Sequence, residues 1–371
     1  MNFEILPVDR KSLKTFLKVP WGVYRGDPNW VPPLLDSVRE MFNPDVHPFH
    51  KHSSVQPFLC IDDAGLPLGR ICAIHNKRHL EFHQDGCGFF GFFETLNDPE
   101  IAGALLSKAQ EWLQERGCTR ARGPASFSTN EECGLLVKGF DSPPVVMMAY
   151  NPPYYSELIE SAGYAKAMDV FAYRIDGASA VPERLARGAQ MIARRRRARI
   201  RPLDFSKLDK EIELVFDIYN RAWELNWGFV PMTLDEFRYL TKELTRIADK
   251  ELVLFVEIDG KPVGFSLALP DINFALKHVD GKLNPLSMIK LLWYARKIKA
   301  LRILAMGVLK EYRGLGLDTL LYAETWLRGT AKGYSSGEMS WILETNHEMN
   351  TVLEKMGAAR YKTYRFYEKA L

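Results

Sequence analysis

The chain alternates short apolar runs with amphipathic stretches, and their periods assign the elements. Pro57–Ile61 and Leu68–Asn76 read as two strands joined through Asp62-Asp63-Ala64-Gly65, a hairpin turn, and GFFGFFE from Gly88 reads as a third. Lys11–Val19 forms a short helix. Ile101–Arg116 carries apolar residues at helical spacing and stops at Gly117; Tyr154–Ala162 is a helix stopped at Gly163, followed by a closing strand, Lys166–Ile175. The second half opens with a strand to Leu203, the helices Leu208–Trp223 and Leu234–Ile247, and a hairpin of Leu252–Ile258 with Val263–Leu269 through Asp259-Gly260. A buried strand, LRILAMGVL from Leu301, then leads into a glycine turn. The helix that follows is apolar at Leu320, Leu321, Ala323, Trp326 and Leu327. A strand (Gly337–Glu344), a short helix (Asn350–Met356) stopped by Gly357, and an aromatic strand (Tyr361–Tyr367) complete the pattern.

The two halves repeat one plan. Laying Gly163 on Gly357, 194 residues apart, puts Glu160 on Glu354 and Tyr173 on Tyr367, whereas the preceding helices align through Trp112 and Trp326 at a spacing of 214. One length difference between these helix pairs reconciles the halves, which implies an internal duplication. The expected division is a first lobe over residues 1–180, a basic connecting helix over 181–200 and a second lobe over 201–371.

The densest chemical signal is Arg313-Gly314-Leu315-Gly316-Leu317-Asp318-Thr319, between the strand and the helix. A turn that opens a helix leaves the first backbone N–H groups unpaired, with the positive end of the macrodipole behind them, which makes an anion cradle. The segment resembles the Arg/Gln-x-x-Gly-x-Gly/Ala signature of the GNAT acyltransferases, with Asp318 in place of the last Gly or Ala. Asn346 and Gly357 stand where that family places its Asn and Gly after the next strand, while Leu353 replaces the tyrosine that many members use to protonate the leaving thiolate. The resemblance implies an α/β fold of two tandem GNAT-like lobes, each a mixed, mostly antiparallel sheet flanked by helices. It also implies acetyl-CoA or a longer acyl-CoA as co-substrate, held by the turn, by Asn346 and by the backbone of Met306, Gly307 and Val308, with no metal. At the spacing of the Trp112 helix, the first lobe has Pro99-Glu100-Ile101-Ala102-Gly103-Ala104 where the second has its glycine turn, preceded by Asp98. Acidic residues there repel a pyrophosphate, so a single cofactor-binding lobe is expected.

Composition changes this picture little. The chain has 371 residues, 49 Lys and Arg against 46 Asp and Glu, and 47% hydrophobic residues, a balance that demands no nucleic acid. The charged N-terminus lacks a signal-peptide core and no later run is long enough to span a bilayer, so a cytoplasmic location is expected. Five cysteines without paired spacing indicate neither disulfides nor zinc. His47, His50 and His52 fall in an irregular segment beside Pro48 and read as a loop rather than a metal site.

The acceptor side is less determined. Gly123–Tyr155 is a long insertion that sets Asn130, Glu131, Glu132, Asn151, Tyr154 and Tyr155 among aliphatic residues, which suits either a pocket for an apolar molecule with a polar head or a pinned surface loop. Trp223, Trp227 and Phe229 border the cleft where the resemblance places an acceptor. Arg194–Arg197, with Arg199 and Arg201, follow an amphipathic stretch and read either as a solvated helix end or as a contact with anionic membrane at the inner face. Leu286–Tyr294, within the long basic segment Asp271–Lys299, reads as an amphipathic helix that covers an acyl chain or touches a bilayer.

An amine attacks a thioester only when neutral, so a proton acceptor is needed, and donors must face the developing oxyanion. Glu344, with Glu338 behind it, is the expected base and Tyr364 the expected acid. The function so implied is transfer of an acetyl or longer acyl group from acyl-CoA to a small-molecule or lipid-like amine. A catalytically silent ligand-binding protein and an aminoacyl-tRNA-dependent transferase are the alternatives. The latter would bind RNA through Arg194–Arg201.

Overall fold

The structure is a computed structural model that describes residues 2–177 and 181–371. The lobe boundary expected after residue 180 falls outside the described residues. Strands β1 (Phe3–Pro7), β2 (Ser54–Asp62), β3 (Pro67–His75), β4 (Cys87–Thr95) and β5 (Arg120–Gly123) form the sheet of the first half, and helices α1 (Leu13–Val23), α2 (Leu35–Met41), α3 (Lys77–His83) and α4 (Pro99–Gln114) accompany them. A short ribbon of β6 (Ala125–Ser126) and β7 (Glu132–Cys133), then β8 (Leu135–Lys138) and α5 (Tyr155–Ser161), lead into β9 (Ala165–Asp176).

Helix α4 shows why the pattern was legible. Asp98 accepts from the N–H groups of Glu100 and Ile101, Pro99 occupies the first turn, and Ile101, Leu105, Leu106, Ala109 and Leu113 are buried against the sheet. Truncating one of these leucines to alanine costs about 2–5 kcal/mol.

The second half begins with α6 (Glu183–Arg196) and β10 (Ala198–Pro202), then α7 (Leu208–Trp223) and α8 (Leu234–Leu244), the latter started by a capping box of Thr233 and Glu236. Strands β11 (Val253–Ile258) and β12 (Lys261–Pro270) form the hairpin. Two helices, α9 (Asn273–Leu276) and α10 (Pro285–Ala295), precede β13 (Ala300–Val308), which leads through the glycine turn to α11 (Leu317–Ala331). Strand β14 (Ser336–Leu343), helix α12 (His347–Lys355) and strand β15 (Ala359–Ala370) close the chain.

The two sheets are one. Among the described residues thirteen strands run in the order β1-β2-β3-β4-β5-β15-β9-β14-β13-β12-β11-β10, with β8 beside β15. Each half lends its closing strand to the other: β9 pairs with β14, Leu343 opposite Val170, and β15 pairs with β5, Tyr367 opposite Gly123. The expectation that Lys166–Ile175 closes its own lobe is therefore corrected. Both halves do keep the same internal arrangement, in which a parallel pair (β4/β5 and β13/β14) is adjacent for a few residues and then parts.

Among the described residues no helix is long and apolar enough to cross a membrane.

Candidate active site

Strands β13 and β14 are paired only from Ala300/Ser336 to Ile303/Met339. Beyond that rung β13 continues beside β12 to Val308 while β14 follows β9, so the strands splay. A register shift between Leu267 and Ala268 leaves Leu304 as an extra residue on β13 at the point of divergence. The Leu309 N–H donates to Val263 at 2.9 Å. By strand alternation Met306 and Val308 then turn their backbone groups toward the opening, and Gly307 turns toward β12. A side chain at Gly307 would run into the ring of Trp223, which α7 lays against it.

The opening belongs to a cavity of about 780 Å³. Its floor is the splay, Arg302–Val308 on one strand and Met339–Leu343 on the other. One end is the glycine turn with α11 and α12; the other lies under α7 and α8, among Leu203, Leu208, Leu240, Leu244 and Ala248; its wall from the first half is Thr129, Asn130, Glu131 and Cys133, with Met147 and Val170. The volume is that of a site for a small organic ligand and the lining is mainly apolar.

At the turn, Gly316 is the N-cap of α11 with φ +80°, a conformation open to glycine, and a Cβ there would come within 2.7 Å of Ile192 on α6. No side chain caps α11, so its first N–H groups are available to an anion, although Asp318 occupies the first turn. Arg313 folds back, its guanidinium donating to the carbonyls of Ala222 and Val308. It ties the turn to α7 and to the end of β13. Gly314, Leu317, Asp318, Thr319 and Asn346 line the cavity, whereas Leu315 packs with Ile192 and Leu185 in the core beneath α6.

The expected acid and base are not on the cavity wall. Glu344 accepts from the Asp169 N–H (3.0 Å) and from Lys166 (2.7 Å), which makes it a turn-holding residue. Tyr364 is wholly buried, its hydroxyl unpaired, and burial together with nearby Glu338 holds its pKa well above the usual phenol value. Glu338 lies opposite Arg302 at the last but one rung before the splay, accepts from Ser340 at 3.0 Å, and is pushed up to about 7 by burial, with Arg302 opposing. Arg302 and Ser340 reach the cavity; Arg302 also donates to the carbonyl of Val146 and so fixes the long insertion of the first half.

Of the acceptor-side residues, Trp223, Trp227, Phe229, Asn130 and Glu131 line the cavity. Asn130 clamps the halves together, accepting from Tyr219 (2.7 Å) and donating to Val230 (2.9 Å). Tyr154 and Tyr155 do not reach the cavity: their hydroxyls bond Thr95 and Glu94 inside the first half. Among the cavity aromatics that sequence reasoning missed is Tyr322 on α11. It lines the cavity, as Leu353 does, with its hydroxyl against Met349 Sδ, and its register on the helix was the available signal.

No metal ligand set emerges from the three neighbouring histidines, whose rings turn to different partners: His47 toward Glu131, His50 to Met41, His52 to Ser53 and Glu236. His79, Asp85 and Cys87 do bring ligand atoms within 4.8 Å of one another, but Asp85 is shared with Arg122 and burial pushes the Cys87 thiol up to about 12.

A parallel strand pair that parts over an uncapped glycine turn, present once in a duplicated chain, defines a tandem GNAT-fold protein. A tandem GNAT protein from the clavulanic acid biosynthesis pathway superposes on 100% of this chain and 98% of its own with a TM-score of 0.56, at 14% identity. The bacterial ceramide synthase of Caulobacter vibrioides is 39% identical over 387 aligned positions, covering 100% of this chain and 98% of that protein. Protein YghO of Escherichia coli is 34% identical over 370 positions, 98% and 94% of the two chains. The chain therefore has a tandem GNAT fold and belongs to the family of that bacterial ceramide synthase. No family model matches the sequence.

Proposed function

We propose that this protein transfers a long acyl group from acyl-CoA to a lipid-like amine. The observation that carries this reading is the continuity of the cavity: it begins at an uncapped helix N-terminus suited to a pyrophosphate and runs through the splay into an apolar arm under α7 and α8. A small polar amine and an acetyl group would need no such arm. The name of the relative from Caulobacter supports a long-chain base as acceptor.

In this reading the turn, Thr319 and Asn346 hold the CoA phosphates and pantetheine, and the amides of Met306 and Val308 face the thioester oxygen. Asp318 weakens the phosphate contact by its charge. Tyr322 supplies the proton to the departing thiolate. The tRNA-dependent alternative loses support because Arg201 is engaged by Glu211 (2.7 Å) and Glu257 (2.6 Å), and the last turn of α6 sets Arg194, Arg195 and Arg196 at the negative end of its dipole.

The amphipathic helix α10 does not cover the acyl chain, since none of its residues lines the cavity. Its large apolar side chains are exposed instead, Leu286 at 73%, Ile289 at 65%, Leu292 at 59% and Trp293 at 52%. Between 277 and 299 six Lys and Arg residues stand against one Asp. We assign this face to contact with an anionic membrane surface, from which a lipid-like acceptor would be drawn.

Calorimetric titration with acetyl-CoA, palmitoyl-CoA and free CoA, repeated with Gly316→Glu, tests the reading together with thiol release in the presence of a long-chain amine. Palmitoyl-CoA binding that the substitution abolishes, with amine-dependent thiol release, is expected. Binding without turnover would favour a silent binder; absence of binding to all three would sink the acyl-CoA reading.

A further inference from the structure

The cavity is lined by three carboxylates among the described residues, Glu131, Asp318 and Glu348. Asp318 and Glu348 sit in the first turns of α11 and α12, at the cofactor end. Glu131 alone stands at the wall contributed by the first half, beside the aromatic loop of Trp227 and Phe229.

Its surroundings are built rather than incidental. Glu131 Oε2 accepts the backbone N–H of Phe127 at 2.5 Å, which fixes the carboxylate. Oε1 lies 3.3 Å from His47 Nε2, without the alignment of a hydrogen bond. The imidazole is 4% exposed, wedged edge-on against Phe127 and Tyr239, and neither ring nitrogen has a hydrogen-bond partner. A buried imidazole with two unsatisfied nitrogens costs stability. Such a cost at the back of a carboxylate that faces a cavity points to chemistry rather than packing.

We infer that Glu131 accepts the proton from the amine that enters this cavity, with the buried His47 imidazole, 3.3 Å behind Oε1, as its positioning residue. The inference rests on the acyltransferase reading above. An ammonium gives one proton to Glu131, and the freed lone pair attacks the thioester carbonyl carbon. The C–N bond forms, the C–S bond breaks, the nitrogen loses a second proton, and the thiolate takes one up. Each turnover thus yields amide, CoA thiol and one proton to solvent. Glu131 comes from the half that has no glycine turn, so that half contributes the acceptor chemistry while the other binds the donor.

The test uses the full chain with palmitoyl-CoA and a long-chain primary amine, reading thiol release against pH and palmitoyl-CoA affinity by calorimetry. Glu131→Gln is expected to lower kcat by about 10²–10⁴-fold near neutrality, the usual contribution of a positioned base, with palmitoyl-CoA affinity unchanged. The deficit should shrink as pH approaches the amine's own pKa, where solvent supplies the neutral nucleophile. His47→Gln should give a smaller loss and displace the acid limb of the profile. That limb is read against the other groups around the imidazole: His50, Tyr239 with Glu40 and Glu243, and His52 paired to Glu236. If Glu131→Gln fails to fold, Glu131→Asp replaces it and should retain the pH dependence at reduced rate. Wild-type turnover matched by Glu131→Gln at every pH, or a loss independent of pH, overturns the inference alone. A wild-type protein that releases no thiol overturns the acyltransferase reading and the inference with it.

Discussion

Arg302 and Glu338 face each other across β13 and β14 one rung before those strands part, with Arg302 Nε 3.7 Å from Glu338 Oε2 and both side chains buried. The guanidinium Nε and one carboxylate oxygen have no hydrogen-bond partner. The strand pair is thus closed by a buried, incompletely satisfied electrostatic contact at the base of the cavity rather than by an apolar plug. Burying both charges costs more than the attraction between them returns unless the remaining groups are satisfied.

The consequence is a pH dependence of stability. Glu338 titrates at about 7 in the folded chain because burial disfavours its anion, against 4.5 for the free side chain. Between those values the folded state holds a proton that the unfolded state has lost, so this group's contribution to stability falls as pH rises from 4.5 to 7 and is constant above. At 1.36 kcal/mol per unit the fall amounts to about 3 kcal/mol. Glu338→Gln should remove that slope. Urea unfolding at pH 5 and pH 8 measures it, and equal pH differences for wild type and variant would show that Glu338 ionises normally.

The exchange of closing strands predicts that the halves do not fold alone. Without β9, the strand β14 would present a bare edge along Ser336–Leu343, and β15 would lose its pairing from Ala359 to Glu368. A chain of residues 181–371 should therefore aggregate or remain unfolded, and co-expression with residues 1–180 should restore a complex. A monomeric 181–371 fragment with cooperative thermal unfolding would contradict this.

Much of this was legible beforehand. Periodicity and caps gave α4 and the glycine turn gave α11, because both depend on residues close in sequence. The strand exchange was not legible, since either closing strand satisfies the same apolar alternation and only pairing between segments remote in sequence decides between them. Glu344 and Tyr364 were misplaced for a related reason: position on a strand end fixes a residue's neighbours in sequence, not whether its side chain turns to the cavity or to Lys166 and the core. No role was drawn for His47 beyond a loop because Glu131, the carboxylate it faces, is distant in sequence.

Leu353 occupies the position where the resemblance expects a phenol, and Tyr322 brings a phenol to the same cavity from α11. Both line the cavity, and burial raises the Tyr322 pKa, which keeps it protonated and able to donate at neutral pH. Tyr322→Phe should lower kcat by about 10²-fold or more if it is the general acid, with acyl-CoA affinity preserved. An alternative thioester with a more acidic leaving thiol should recover much of the loss. Equal losses on both thioesters would assign Tyr322 to packing against Met349 instead.

Helix α10 carries no buried residue, and its exposed apolar face is bordered by Lys290, Arg296 and Lys297, the last lying 3.1 Å from the Trp293 ring centroid. An isolated surface of that kind gains little in water, whereas at a bilayer Leu286, Ile289 and Leu292 would enter the acyl boundary and each cation near an anionic surface would add about 1 kcal/mol. Sedimentation with phosphatidylglycerol-containing vesicles should therefore exceed that with phosphatidylcholine alone and weaken as salt rises. The double substitution Ile289→Asp with Leu292→Asp should weaken vesicle binding by at least about tenfold, since burying one carboxylate in the boundary costs more than 1.4 kcal/mol. Because α10 lines no part of the cavity, thiol release with a detergent-dispersed amine should be unchanged in the same variant, while transfer to an amine presented in vesicles should fall. Vesicle binding that the two aspartates leave intact would move the membrane contact elsewhere on the molecule, with the arginines of α6 as the next surface to substitute.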